Sequence, residues 1–268
     1  MPNLVPVADP DDPRLDVFHK VRERDLVGRE GRFIAEGEVV LRVLITRARH
    51  KAEAVLLAEK RVAGLADLLA QLDDGAPVYV APQAVMDAIA GFHIHRGILA
   101  VGRRDPEPAA ADLLSGLPER ALILMPFGIA NHDNLGGLFR SAAAFGADAV
   151  ILDPACCDPL YRKAIRVSVG TALVTPFARL GAGEDPIALL DHFGFEALAL
   201  SPAGSTPLGR LDRAPRAALM LGTEGPGLPQ SLIARARAVA IPMTGGLDSL
   251  NVATAGAIAL HHLAFAAP

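Results

Sequence analysis

The chain has 268 residues, of which 51% are apolar and 21% charged, and its net charge is −4. That length and apolar content suit one large domain or two smaller ones with buried cores and exclude a disordered tail. No apolar run reaches the ~20 residues of a membrane helix, and residues 1–12 lack the ordered basic, apolar and cleavage regions of a signal peptide, so a cytoplasmic protein is expected, with no membrane as partner.

The first region is locally basic. Ten Lys/Arg fall between Arg14 and Lys51 (Arg14, Lys20, Arg22, Arg24, Arg29, Arg32, Arg42, Arg47, Arg49, Lys51), against six acids, a local balance of +4. Such a stretch can form a phosphate-binding face on an acidic protein, and it can equally be a solvated helix face. Short apolar segments at 33–35, 55–57, 78–80 and 98–101 are bounded by polar, Gly or Pro positions, as strands are. Helical patterns at 39–47 and 62–72 lie between them. Residues 14–104 therefore read as a small α/β domain. The prolines, acids and small residues from Asp105 to Asp112 mark a boundary, and 105–118 reads as a linker.

From residue 119 the alternation strengthens. The apolar run at 121–125 predicts a strand buried on both faces. A helix follows over 134–145, with Gly146 as its C-terminal cap, and further strands are expected at 149–152, 197–200, 217–221 and 238–241. Strands alternating with helices predict a parallel sheet covered on both sides. The adjacent Cys156 and Cys157 have neither disulfide nor metal-ligand spacing, so no disulfide framework and no metal are expected. An alanine-rich helix at 251–265 closes the chain.

Three glycine-marked segments join strands to helices. In Asn131-His-Asp-Asn-Leu-Gly-Gly-Leu-Phe-Arg140, Asn134 is a suitable helix N-cap, Gly136 and Gly137 permit close backbone approach, and Arg140 lies six residues beyond Asn134. By itself such an arginine is more often solvated or salt-bridged than catalytic. In Met220-Leu-Gly-Thr-Glu-Gly-Pro-Gly-Leu228, three glycines make a tight loop, yet Glu224 would repel a phosphate and the Lys-Ser/Thr ending of a P-loop is missing. One carboxylate there better suits a ligand with hydroxyls or a positive centre; a plain strand-to-helix turn is the bland alternative. In Ile241-Pro-Met-Thr-Gly-Gly-Leu-Asp-Ser-Leu-Asn-Val252, Ser249 and Asn251 stand at a helix start, where amide donors collect, and Ser249 can be a simple cap.

Taken together and in this order, the three segments closely resemble the motifs of the SpoU/TrmH family of RNA 2′-O-ribose methyltransferases. The resemblance covers residues ~119–268, and Arg166-Val-Ser168-Val-Gly170 is similar to a further family stretch. More weakly, Phe33-Ile-Ala-Glu-Gly-Glu38 and Gly97-Ile-Leu-Ala-Val101 resemble landmarks of an N-terminal substrate-binding domain similar to ribosomal protein L30e. His93, His95 and Arg96 replace the usual Pro-Gln ending before Gly97, and His132-Asp133 replaces the usual Asp-Pro approach to Asn134. The resemblance implies an α/β fold whose C-terminal parallel-sheet domain carries a deep trefoil knot, preceded by that small L30e-like domain. It implies S-adenosylmethionine as methyl donor, held by Leu200, Gly222, Glu224, Gly225, Ile241, Met243 and Leu250. Arg140, Asn134, Ser249 and Asn251 are then the catalytic set, and Arg166 and Ser168 contact RNA. It further implies a homodimer acting on structured RNA, ribosomal RNA ahead of tRNA. A non-catalytic RNA-binding homologue is the competing class, and retention of the five polar motif residues Asn134, Arg140, Glu224, Ser249 and Asn251 argues against it.

Overall fold

A computed structural model describes residues 2–19, 27, 30–73, 75–91, 93–244 and 249–265. Lys20, Arg22, Arg24 and Arg29 of the basic stretch, and residues 245–248 of the third segment, lie outside the described residues. The chain divides into two compact units, Met1–Pro106 with Asp158–Val174, and Glu107–Cys157 with Thr175–Pro268.

The first unit begins with β1 (Asn3–Pro6) and a 3-10 turn (Pro13–Leu15) leading into α1 (Asp16–His19). Then come β2 (Arg32–Glu36), α2 (Glu38–Thr46), β3 (Lys51–Ala58), α3 (Ala66–Leu69), β4 (Pro77–Ala81), α4 (Gln83–Ala90) and β5 (Ile98–Arg103). The sheet order is β1-β4-β3-β5-β2, with β1, β4 and β3 parallel and β5 antiparallel to both of its neighbours. Gly102 explains one close pairing. It stands opposite Phe33, and a Cβ there would lie 2.2 Å from the Phe33 ring, so the missing side chain is what lets that ring lie flat in the core. The helix expected at 62–72 is instead two 3-10 turns (Glu59–Arg61, Ala63–Leu65) and the four residues of α3. Gly64 stands at the interruption and disfavours a continuous helix. The edge strand β1, mostly exposed and closed by Pro6, has no apolar run to announce it in the sequence.

The second unit opens with α5 (Ala110–Ser115), inside the expected linker. It continues through β6 (Ala121–Pro126), α6 (His132–Ala144) and β7 (Ala149–Leu152). The chain then contributes α7 (Arg162–Val167) and a 3-10 turn (Thr171–Leu173) to the first unit. It returns with β8 (Phe177–Arg179), α8 (Pro186–His192), β9 (Glu196–Leu200), β10 (Thr206–Pro207), β11 (Arg216–Leu221), α9 (Gln230–Ile233), β12 (Arg237–Ala240) and α10 (Val252–Phe265). All seven strands pair in parallel, in the order β10-β12-β9-β11-β6-β7-β8. Every residue of β6 and β7 is buried, which accounts for their unbroken apolar sequences. The short β8 and β10 carry too little pattern to be read from sequence. The parallel order positions three loops. β12, β9 and β11 are neighbours, so the loops leaving their C-terminal ends emerge side by side, where ligands of open parallel sheets bind.

Candidate cofactor cavity and its three loops

Those three loops enclose a cavity of about 340 Å³. All seven residues assigned to the methyl donor (Leu200, Gly222, Glu224, Gly225, Ile241, Met243 and Leu250) line it, and so do Ser249 and Asn251. Ser201 and Pro202, in the loop after β9, line it as well and escape sequence reasoning; their only signal is their place directly after a strand end. The wall is apolar where Leu200, Leu221, Ile241, Leu250 and Val252 face inward.

The loop after β11 owes its shape to glycine. A Cβ on Gly222 would lie 2.1 Å from both the Gly227 carbonyl carbon and the Leu228 nitrogen, so the two sides of the loop meet backbone to backbone. Gly225 and Gly227 have φ of +87° and +70°, the left-handed region that other residues enter at a cost. The Gly227 amide donates to the Thr223 carbonyl (3.1 Å) and closes the turn. Glu224 is thereby displayed at the loop's tip.

Its carboxylate joins the three segments. Glu224 Oε1 accepts from Asn134 Nδ2 (2.9 Å) and from Asn251 Nδ2 (2.8 Å), and Asn251 Nδ2 also donates to Asn134 Oδ1 (2.9 Å). This triangle spans 117 residues of sequence. Asn134 was expected to cap its helix, but the helix begins two residues earlier. Asn131 is the cap, its side chain accepting from the Asp133 and Asn134 amides, and this leaves Asn134 buried in the first turn and free to face Glu224. Likewise Asn251, not Ser249, caps α10, accepting from the Ala253 and Thr254 amides (3.0 and 3.3 Å). Small residues bring the two helices together: a Cβ on Gly137 would meet Ala253 at 2.9 Å, and one on Gly256 would meet Leu138 at 2.6 Å.

Other expected residues stand apart. Arg140 is exposed on α6, is absent from the cavity wall and makes no hydrogen bond or ion pair among the described residues. Asn134 and Asn251, which share the expected catalytic set with it, bind Glu224. Arg166 and Ser168 belong to the first unit. Ser168 is fully buried, its hydroxyl donating to the Ile165 carbonyl (2.9 Å) and accepting from the Ala172 amide (3.3 Å). Direct RNA contact by that side chain is therefore corrected to a role in shaping the turn after α7. Cys156 is also structural: its thiol donates to the Pro126 carbonyl, and burial pushes its pKa up to about 11. Among the described residues no group of three or more His, Cys, Asp or Glu is arranged to hold a metal, and no helix is long and apolar enough to cross a membrane.

The fold matches solved structures along nearly its whole length. An AdoMet-bound rRNA methyltransferase from Sinorhizobium meliloti is 24% identical with a TM-score of 0.81, covering 97% of each chain. The SpoU methyltransferase AviRb from Streptomyces viridochromogenes, in complex with AdoMet, is 19% identical with a TM-score of 0.77, covering 94% of this chain and 97% of that one. In sequence, uncharacterised tRNA/rRNA methyltransferases of Mycobacterium bovis and Mycobacterium tuberculosis are 41% identical over 266 residues, 95% of this chain and 90% of theirs. The pattern of the SpoU rRNA Methylase family matches residues 121–261, the span that contains all three cavity loops and the Asn134–Glu224–Asn251 triangle. The chain belongs to the SpoU rRNA Methylase family of RNA methyltransferases.

Proposed function

We propose that this protein transfers a methyl group from S-adenosylmethionine to a ribose 2′-oxygen of structured RNA, ribosomal RNA ahead of tRNA, as a cytoplasmic homodimer. The observation that carries this reading is the convergence of three separate sequence segments on one cavity, locked by a carboxylate and two amides. The residues present fit the donor. A volume of about 340 Å³ lies within the ~300–1,000 Å³ of small-molecule sites. Leu200, Ile241 and Leu250 offer apolar surface to an adenine, and the absent Cβ of Gly225 leaves backbone exposed for hydrogen bonding. Glu224 places negative charge beside a cationic ligand. The family description and the two-unit organisation favour ribosomal RNA. The mixed sheet with α2 and α4 supports an L30e-like first unit. The strand order, with β12 between β10 and β9, supports a trefoil knot in the second.

S-adenosylmethionine supplies an electrophilic methyl on a sulfonium. The chain's main contribution is alignment, which can be worth ~7–11 kcal/mol when reacting atoms are held in line. A guanidinium is a poor base and a good hydrogen-bond donor, so the role of Arg140 is to stabilise negative charge developing on the ribose oxygen, directly or through an RNA phosphate. Ser249, at the cavity wall, orients the ribose. That Arg140 has no partner among the described residues suits a site completed by a second copy. The surface of α10 agrees: Thr254, Ile258, His261 and Phe265 recur at helical spacing, with Ile258 41% and Phe265 68% exposed.

The reading is tested with tritiated donor and unmodified transcribed RNA, followed by alkaline hydrolysis. A 2′-O-methyl group blocks cleavage at its own linkage, so label recovered in alkali-resistant dinucleotides supports the proposal, and label on a base overturns it. Arg140→Ala is expected to keep donor affinity and to lower the methylation rate by about 10²–10³-fold. Methylation at the parental rate removes Arg140 from the chemistry.

A further inference from the structure

The segment Asp158–Val174 lies in sequence between strands of the second unit yet packs with the first. Glu36, at the end of β2, holds it. Arg162 Nε and a terminal guanidinium nitrogen both donate to Glu36 Oε2 (2.9 and 2.8 Å), and the two side chains are 10% and 9% exposed. One turn further along α7, Arg166 reaches the same oxygen at 3.5 Å with 41% of its side chain exposed. Two further anchors hold the segment. Arg104 pairs with Asp158. Gly170 lies so close to α2 that a Cβ would approach Val43 to 3.1 Å. Between them Val169 adopts φ +56°, a strained conformation for a β-branched residue that persists only where the surroundings over-determine it.

Arg162 takes the buried, close contacts. Arg166 is tethered at one edge, and its remaining donors find no acceptor among the described residues. A guanidinium held in place, half in solvent and with most of its fork open, is preorganised to grip a phosphate. We propose that Glu36 is a positioning residue that aims Arg166 at the phosphate backbone of the RNA substrate, making Asp158–Val174 part of the substrate-binding unit. This rests on the reading of the protein as an RNA-modifying enzyme. It assigns Glu36 a role within the Phe33-Ile-Ala-Glu-Gly-Glu38 stretch.

The experiment compares the full-length parent, Arg166→Ala, Glu36→Gln and the double variant. It measures methylation kinetics on unmodified transcribed ribosomal RNA, donor affinity by calorimetry, and binding of the same labelled RNA over a range of salt. Arg166→Ala should raise the KM for RNA about tenfold, leave kcat and donor affinity within about twofold, and lower the slope of log affinity against log salt by about one. Glu36→Gln should shift KM in the same sense, and the double variant should be no worse than the worse single variant, since both changes remove one contact. Additive effects, or RNA binding indifferent to Arg166, overturn the proposal. Should Glu36→Gln unfold by stranding the Arg162 charge, Glu36→Gln with Arg162→Met removes both buried charges and is read in its place. If the parent binds RNA through Arg166 but methylates none, the enzymatic reading fails and the anchoring stands.

Discussion

Asn251 serves two structures with the two ends of one amide. Its Oδ1 caps α10 through the Ala253 and Thr254 amides, while its Nδ2 donates to Glu224 and Asn134. The two roles separate by substitution. Asn251→Ala loses both, and the cap alone is worth ~1 kcal/mol, so thermal stability and donor affinity should fall together. Asn251→Asp keeps an acceptor for the cap but sets a second carboxylate against Glu224. Stability near the parent's with donor binding weakened at least tenfold is the expected result, read by thermal denaturation and calorimetry. Donor binding unchanged in Asn251→Asp would show that the triangle does not hold the loop. The triangle also marks how far the sequence could be read at this scale. Motif positions identified the three residues, but not that the two asparagines serve Glu224 and leave Arg140 alone. A hydrogen bond across 117 residues leaves no trace in local spacing.

Arg216 shows the same limit at the scale of elements. From the start of β11 it donates to the carbonyls of Leu114 (3.0 Å), Leu117 (3.2 Å) and Pro118 (2.9 Å), and its guanidinium lies 4.3 Å over the Phe195 ring. The Leu114 carbonyl belongs to the last turn of the six-residue helix α5, which has no intrahelical donors left to satisfy it, and the Leu117 and Pro118 carbonyls follow just after the helix. A cation there also complements the negative end of the helix. Arg216→Met keeps the apolar stem and removes the fork. It should cost about 2–3 kcal/mol in urea unfolding, and Arg216→Lys should recover only part of that, since an ammonium cannot span three carbonyls from a ring face. A loss within about 0.5 kcal/mol, the range of ordinary surface substitutions, would show that α5 is held by its apolar face alone. Strands with four or more consecutive apolar residues were legible because burial on both faces dictates their composition. The two-residue β10 and three-residue β8 were not, since their existence depends on neighbours already in place. Nor was α5, which forms where proline and acidic residues indicated a linker.

Over the whole molecule, alternation of strand and helix revealed the parallel sheet, and a composition break placed a boundary near residue 105. Nothing local could reveal that Asp158–Val174 returns to the first unit, because the buried Glu36–Arg162 pair that holds it joins residues 126 apart. The first unit also contains a buried titratable group whose effect is global. His50 has a fully buried side chain, its Nδ1 accepts from the Asp105 amide (3.2 Å), and its ring meets Phe33 edge-on with centroids 5.4 Å apart. Burial, reinforced by Arg49, holds its pKa down at about 4, against 6.5 for an unburied histidine. Between those values the unfolded chain binds a proton that the folded chain refuses, so stability is full above pH ~6.5 and falls as pH drops towards ~4. The full shift corresponds to about 3 kcal/mol, and about 2 kcal/mol of it should be lost by pH ~5. Urea unfolding of the parent and His50→Gln, at pH ~7 and ~5 in matched buffers, isolates this contribution from the other histidines. The parent should lose more stability than the variant by about that amount. Parallel losses in the two proteins would mean that the imidazole reaches solvent, or takes up its proton, without unfolding.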